Sequence, residues 1–134
     1  MPQREPYEIE IPDWHPAFIN AYLRMTPMAR HSSKKKAAKM LGDWKFICRV
    51  PDAVVPRYVT VEFYGWPSGR LPDPDNVWKE LRDAMKIAHL IVDDAPEWAT
   101  FSDPLFVRSE RKATVITLVD APARALKRER RGKA

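Results

Sequence analysis

Residues 57–90 read RYVTVEFYGWPSGRLPDPDNVWKELRDAMKIAHL, in which a strand pattern, a loop and a helix pattern follow one another directly. Arg57 to Trp66 alternates apolar and polar residues and is rich in Val, Thr, Phe and Tyr, which predicts a β-strand. Pro and Gly are dense over residues 66–74, which indicates a loop. Residues 75–90 then carry apolar side chains at helical spacing. The predicted buried face of this helix comprises Val77, Leu81, Ala84, Met85 and Ala88.

Further elements on both sides complete the predicted domain. Residues 7–11 alternate as a strand that Pro12 stops. Ser32 or Ser33 is expected to cap a helix that runs to about Cys48. Two last strands are predicted over residues 98–107 and 113–119, joined near residues 110–112. The predicted apolar face of the first helix comprises Ala37, Leu41, Trp44 and Cys48. The order β-α-β-α-β-β predicts an α+β fold with a mixed sheet and two main helices.

Length and composition fit one soluble domain. The chain has 134 residues, of which 45% are apolar and 31% charged, and we expect a domain over residues 1–123 and a basic tail over residues 124–134. No segment reaches the roughly 18–20 consecutive apolar residues of a membrane span, and the polar start lacks a signal-peptide pattern. We therefore expect a cytoplasmic protein without a membrane partner. One cysteine and three histidines exclude a disulfide scaffold and a zinc module.

Charge divides along the chain into two basic segments and an acidic centre. Residues 24–49 carry eight basic side chains and one acidic side chain, and residues 124–134 carry six and one. Residues 73–97 carry seven acidic and three basic side chains. Basic segments suit the phosphates of a nucleic acid, although basic tails also occur as solubilising or disordered features. Carboxylates repel phosphate unless a divalent cation lies between them, so the acidic centre indicates metal-dependent chemistry on a nucleic acid.

Simpler roles are available for the acidic residues. Asp73 before Pro74 is a good helix N-cap, and Asp93 and Asp94 are common turn residues. A calcium loop starting at Asp73 is excluded, because its sixth position is Trp78 instead of glycine and its twelfth is Ala84 instead of glutamate.

The acidic residues also stand at the two ends of the second predicted helix. Asn76 and Lys79, three residues apart, share a face at its start. Asp94 follows its end, and a helix of some 15 residues at about 1.5 Å per residue is too long for Asp94 to meet Asp75 along it. A strand running from Asp94 beside the strand that ends at Trp66 is the expected way for the chain to fold back.

The motif around this helix resembles the RusA family of Holliday junction resolvases. Gly69 to Lys79 (GRLPDPDNVWK), then Asp83-Ala84-Met85, then Ile91 to Asp94 are similar to that family's D-x-D-N-x-x-K segment, helical D-A-L-like step and D-D pair. A weaker similarity covers residues 20–24 and 30–36. The chain departs from the family near Thr26-Pro27, where a His-Trp pair is common, and in its basic tail.

The resemblance implies a homodimeric endonuclease that resolves four-way DNA junctions by paired nicks. Asp73, Asp75 and Asp94 would hold Mg²⁺, with Mn²⁺ as a plausible substitute, and Lys79 would complete the catalytic set. Asn76 and Asp93 would support these ligands. The candidate DNA-binding residues are Arg24, Arg30, Lys34, Lys35, Lys36, Lys39 and Arg70. Two alternatives stay open, namely a nuclease for forks, flaps or other branched DNA, and a DNA-binding protein without catalysis.

Overall fold

A computed structural model describes residues 6–16, 26–66 and 74–121. Within these ranges the chain forms two helices and five strands in one α+β domain. In chain order the elements are β1 (Tyr7–Pro12), α1 (Pro27–Ile47), β2 (Arg57–Tyr64), α2 (Pro74–Ile87), β3 (Ala99–Phe101), β4 (Leu105–Val107) and β5 (Ala113–Asp120). The predicted α+β class with a mixed sheet and two main helices is confirmed.

The sheet has the order β1-β5-β2-β3, and β4 also pairs with β2. β5 is antiparallel to both β1 and β2, whereas β3 and β4 run parallel to β2. A parallel pair needs a crossover connection, and α2 supplies it between β2 and β3. β2 thus lies next to the edge of the sheet, and α2 begins beyond its carboxyl end.

One face of the sheet carries the core. Val59, Val61 and Phe63 alternate along β2 with less buried residues, as the period of a strand requires. Leu41 of α1 and Leu81 of α2 are completely buried in the same cluster. The predicted core face of α2 is buried throughout, and on α1 Ala37 and Leu41 are buried while Trp44 and Cys48 are half-buried.

The first helix begins earlier than the serines predict. Thr26 is the N-cap, its hydroxyl accepts a hydrogen bond from the backbone N–H of Ala29 at 3.1 Å, and Pro27 opens the helix. Threonine at the cap and proline at the first helical position are both favoured, because proline has no N–H to leave unpaired there. The prediction of a cap at Ser32 or Ser33 is therefore wrong by nearly two turns of helix.

The strand predicted over residues 98–107 is divided in two. β3 pairs with residues 57–59 of β2 and β4 pairs with residues 62–64, so that residues 102–104 interrupt one edge. Pro104 in this break has no backbone N–H to donate. The Nε1–H group of Trp78 on α2 donates to the Ser102 carbonyl at 3.0 Å and ties the break to the helix.

No helix within the described ranges is long and apolar enough to cross a bilayer. The predicted basic tail over residues 124–134 lies outside the described residues.

Candidate nucleic-acid and metal site

The amino end of α2 carries two of the predicted catalytic residues. Asp75 lies in the first turn and Lys79 lies one turn later, and both side chains are exposed. Residues four apart on a helix share a face, so the carboxylate and the ammonium group point to the same side. A carboxylate in the first helical turn is also stabilised by the helix dipole, which is the simplest structural reason for Asp75.

Several of the predicted site residues, or their side chains, lie outside what the structure describes. Asp73 and Arg70 precede α2, outside the described residues, and Arg24 lies in the segment before α1. Arg30 and Asn76 stand within α1 and α2 respectively, but their side chains are not described. The group of Asp73, Asp75 and Asn76 is thus represented by Asp75 alone.

The carboxyl end of α2 carries the other predicted carboxylates. Asp93 and Asp94 follow the turn after the helix, and both are half-exposed. The ammonium group of Lys86, in the last turn of α2, lies 3.6 Å from Asp93 Oδ1 and 3.7 Å from Asp94 Oδ1. Lys86 was not among the residues predicted from the sequence, although its charge at a helix carboxyl end is a recognisable signal.

The structure of one chain keeps the two acidic groups apart. Asp75 and Lys86 are eleven residues apart on one continuous helix, which corresponds to about 16 Å along its axis. β3 lies beside β2, and Ala99 pairs with Arg57 at the start of β2 and not with Tyr64 at its end. The expected strand after Asp94 is confirmed, since β3 and β4 run beside β2 toward Trp66, but its register leaves Asp94 itself at the far end of α2 from Asp75.

The oxygen donors suit a hard divalent cation, although the described part of the chain does not gather three of them at one place. Among residues 6–16, 26–66 and 74–121, no group of three His, Cys, Asp or Glu side chains is placed to hold a metal ion. The Asp93–Asp94 pair already attracts one cation, the Lys86 ammonium. The carboxylates thus fit Mg²⁺ in chemistry.

Helix α1 presents the basic residues. Lys35, Lys36 and Lys39 are exposed, and Lys39 makes an ion pair with Asp43 at 3.3 Å. Lys34 differs from them, since it is half-buried and its Nζ lies 2.8 Å from Asp83 Oδ2 on α2. Of the candidate DNA-binding residues, Lys34 therefore joins the two helices, while the exposed Lys35, Lys36 and Lys39 can face a polyanion.

A buried carboxyl group joins the same two helices and was missed by the sequence analysis. Glu80 is only 3% exposed, and its Oε1 accepts a hydrogen bond from the Ser33 hydroxyl at 2.7 Å. Its Oε2 has no partner among the described residues. Burial raises the pKa of Glu80, and the hydrogen bond from Ser33 and the charge of Lys34 oppose that rise.

Aromatic side chains surround the carboxyl end of β2. His15 Nε2 donates to the Tyr64 carbonyl at 2.8 Å, and its ring contacts the rings of Phe63 and Trp66. Phe106 of β4 packs against Trp66 with ring centroids 4.8 Å apart. Burial lowers the pKa of His15, so burial favours the neutral ring. This cluster fixes the chain at the point where it leaves β2 toward α2.

Comparison with known proteins gives no assignment, since no family model and no curated protein matches the chain.

Proposed function

We propose that the chain is a Mg²⁺-dependent endonuclease of the RusA family that resolves Holliday junctions as a homodimer. The observation that carries the proposal is the exposed pair of Asp75 and Lys79 on one face of α2, set within the motif of that family. Helix α1, with its exposed lysines, is joined to the same helix by the Lys34–Asp83 ion pair. The proposal thus places carboxylates, a lysine and a basic surface on two helices in contact.

Each group has a chemical role in this proposal. Asp73, Asp75 and Asp94 would hold the ion, which when bound polarises a water molecule and offsets phosphate charge. Lys79 would stabilise the negative charge that develops on the phosphate during hydrolysis. Asp93 and Asp94 bring two adjacent negative charges, so Asp93 would orient or support its neighbour. Lys35, Lys36 and Lys39 would contact the DNA backbone, which fixes position without reading sequence.

A homodimer would bring together carboxylates that lie apart along the α2 helix of one chain. Asp75 and Asp94 lie at opposite ends of the helix, so two copies related by a two-fold axis, with their α2 helices antiparallel, would bring Asp75 of one copy toward Asp94 of the other. The same operation does this twice and yields two equivalent sites. Two matching sites also suit a junction whose resolution requires one nick in each of two opposing strands.

The decisive experiment incubates the purified protein with a synthetic mobile four-way junction in Mg²⁺ or in EDTA and scores nicks on every strand. We expect symmetric paired nicks that require Mg²⁺ and disappear in Asp75→Asn. Asp103→Asn, which changes an exposed aspartate in the break between β3 and β4, is the matched control and should cut normally. Cleavage of forks or flaps alone would favour a different branched substrate, and tight binding without any nick would favour a protein that only binds DNA.

A further inference from the structure

The contact between Lys86 and the Asp93–Asp94 pair has a consequence for cation binding. Both Nζ–Oδ1 distances, 3.6 and 3.7 Å, exceed the 2.7–3.2 Å of an ordinary N–H···O hydrogen bond. Lys39, by comparison, lies 3.3 Å from the single carboxylate of Asp43. The Lys86 ammonium therefore acts on two carboxylates at once by charge, without being held by a short hydrogen bond to either one.

The surroundings explain why a cation is needed at this position. Asp93 and Asp94 are consecutive, so their carboxylates repel each other at close range. They also lie near the carboxyl end of α2, where the helix dipole adds partial negative charge. Lys86 in the last turn offsets both effects. The three side chains are 37–46% exposed, so a cation from solvent can reach the same carboxylates.

We infer that Lys86 is an exchangeable counter-ion of the Asp93–Asp94 pair, which a divalent cation must displace in order to bind there. The inference rests on the proposed function, since it takes the metal ligation of Asp94 from that proposal. Lys86 then sets the cation affinity of this end of α2: it offsets one of the two negative charges in the free protein and raises the cation concentration at which the carboxylates become occupied. Lys86 is a positioning residue in this scheme and takes no part in hydrolysis.

Binding of Mn²⁺ in the absence of DNA tests the inference independently of cleavage. Mn²⁺ would be titrated into the wild-type protein and into the variants Lys86→Met, Lys86→Arg and Lys39→Met. Electron paramagnetic resonance would measure the concentration of free Mn²⁺ at each step. Lys39→Met is the matched control, because it removes the same charge from an exposed ion pair on α1. We expect Lys86→Met to bind Mn²⁺ roughly two- to fivefold more tightly, the range set by weak exposed ion pairs. Lys86→Arg and Lys39→Met should stay close to wild type.

Other results would overturn the inference in distinguishable ways. Equal affinities in Lys86→Met and Lys39→Met would show that Lys86 is an ordinary surface charge, and weaker binding in Lys86→Met would show that it assists the ion. If Asp75→Asn and Asp94→Asn still weaken Mn²⁺ binding in either case, the proposed function survives and only the role of Lys86 falls. If the wild-type chain binds no Mn²⁺, the metal site and the role of Lys86 fall together.

Discussion

Arg57 and Asp120 face each other across β2 and β5, and the Nε of Arg57 donates to Asp120 Oδ1 at 2.8 Å. The guanidinium is 1% exposed and also donates to the carbonyls of Leu90 and Pro51, at 2.9 and 3.0 Å. One buried side chain thus connects the sheet to the segments that follow α1 and α2. A buried charge is tolerated in this position because each of its nitrogens has an acceptor.

Replacing Arg57 by Met should destabilise the fold by about 3–5 kcal/mol, because a buried partner is removed and the Asp120 carboxylate loses its nearest positive charge. Urea unfolding at neutral pH measures the change in the free energy of unfolding. Arg111→Met is the control, since it breaks an exposed pair with Glu10 and should cost about 1 kcal/mol or less. Equal losses in the two variants would contradict a structural role for the buried pair.

Gly65 follows β2 and has a positive φ of 69°. A Cβ added there would lie 2.7 Å from the Arg111 carbonyl oxygen and 3.0 Å from Lys112 Cα, both backbone atoms. Gly65→Ala should therefore cost about 1–3 kcal/mol, from strain and from displacement of the loop before β5. Thermal unfolding would record this as a lower melting temperature.

Gly42 provides the opposite case within the same chain. It lies inside α1, and an added Cβ would meet nothing within 4 Å. Gly42→Ala should raise stability by about 0.5–1 kcal/mol, the difference in helix propensity between the two residues. A loss of stability in Gly42→Ala would show that helix propensity at this position does not limit the stability of α1.

The buried Glu80 predicts a dependence of stability on pH. Its pKa in the folded chain is raised above the ordinary value of 4.5, so the folded state holds the proton more strongly than the unfolded state does. The stability that Glu80 contributes is present at low pH and is lost as pH rises from about 4.5 through the folded pKa. Glu80→Gln has no proton to lose, so its stability relative to wild type should increase with pH over this window.

Urea unfolding of wild type and Glu80→Gln between pH 4 and pH 8 checks this expectation. Glu110→Gln, which neutralises an exposed carboxylate, reports the effect of charge loss alone. A difference between wild type and Glu80→Gln that stays constant with pH would contradict a raised pKa of Glu80 in the interface of α1 and α2.

Contacts of α1 with DNA can be measured through their dependence on salt. Each phosphate contact that is lost should reduce the magnitude of the slope of log association constant against log salt concentration by about 0.9. A substitution in a homodimer removes one contact from each subunit, so Lys35→Ala and Lys36→Ala should each reduce it by about 1.8. Fluorescence anisotropy with a labelled four-way junction in EDTA separates binding from cleavage. Lys112→Ala, which removes an exposed lysine before β5, is the control and should keep the wild-type slope. An unchanged slope in both α1 variants would remove this helix from the DNA-binding surface.

Much of the fold could be predicted because it depends on local pattern. The alternation along residues 57–64 reflects burial of one face of the sheet, and the apolar spacing of α2 reflects burial of one face of the helix. The start of α1 was missed because three possible caps, Thr26, Ser32 and Ser33, compete locally and only the first precedes a proline. Glu80 has a readable signal, since it stands one turn before Ala84 on the core face of α2.

The arrangement of the candidate site depends on long-range register and could not be read from the same patterns. The spacing of Asp75 and Asp94 along the chain is compatible with several ways of returning to the sheet. Pairing of Ala99 with Arg57, fixed by contacts far apart in sequence, places Asp94 at the carboxyl end of α2. A motif can therefore indicate which residues act together while leaving open whether they meet within one chain or between two.

Mixed dimers separate these two arrangements. If each site combines Asp75 of one copy with Asp94 of the other, Asp75→Asn and Asp94→Asn are each inactive alone, but a dimer containing one chain of each variant has one intact site and one doubly altered site. Refolding an equal mixture should make about half of the dimers mixed, and each should give single nicks in a four-way junction. If both carboxylates act within one chain, every site in the mixture carries an alteration and no nicks appear. Asp75→Asn mixed with Lys79→Ala is the control: both residues lie at the amino end of α2, so no combination of these two chains restores an intact site and the mixture should stay inactive.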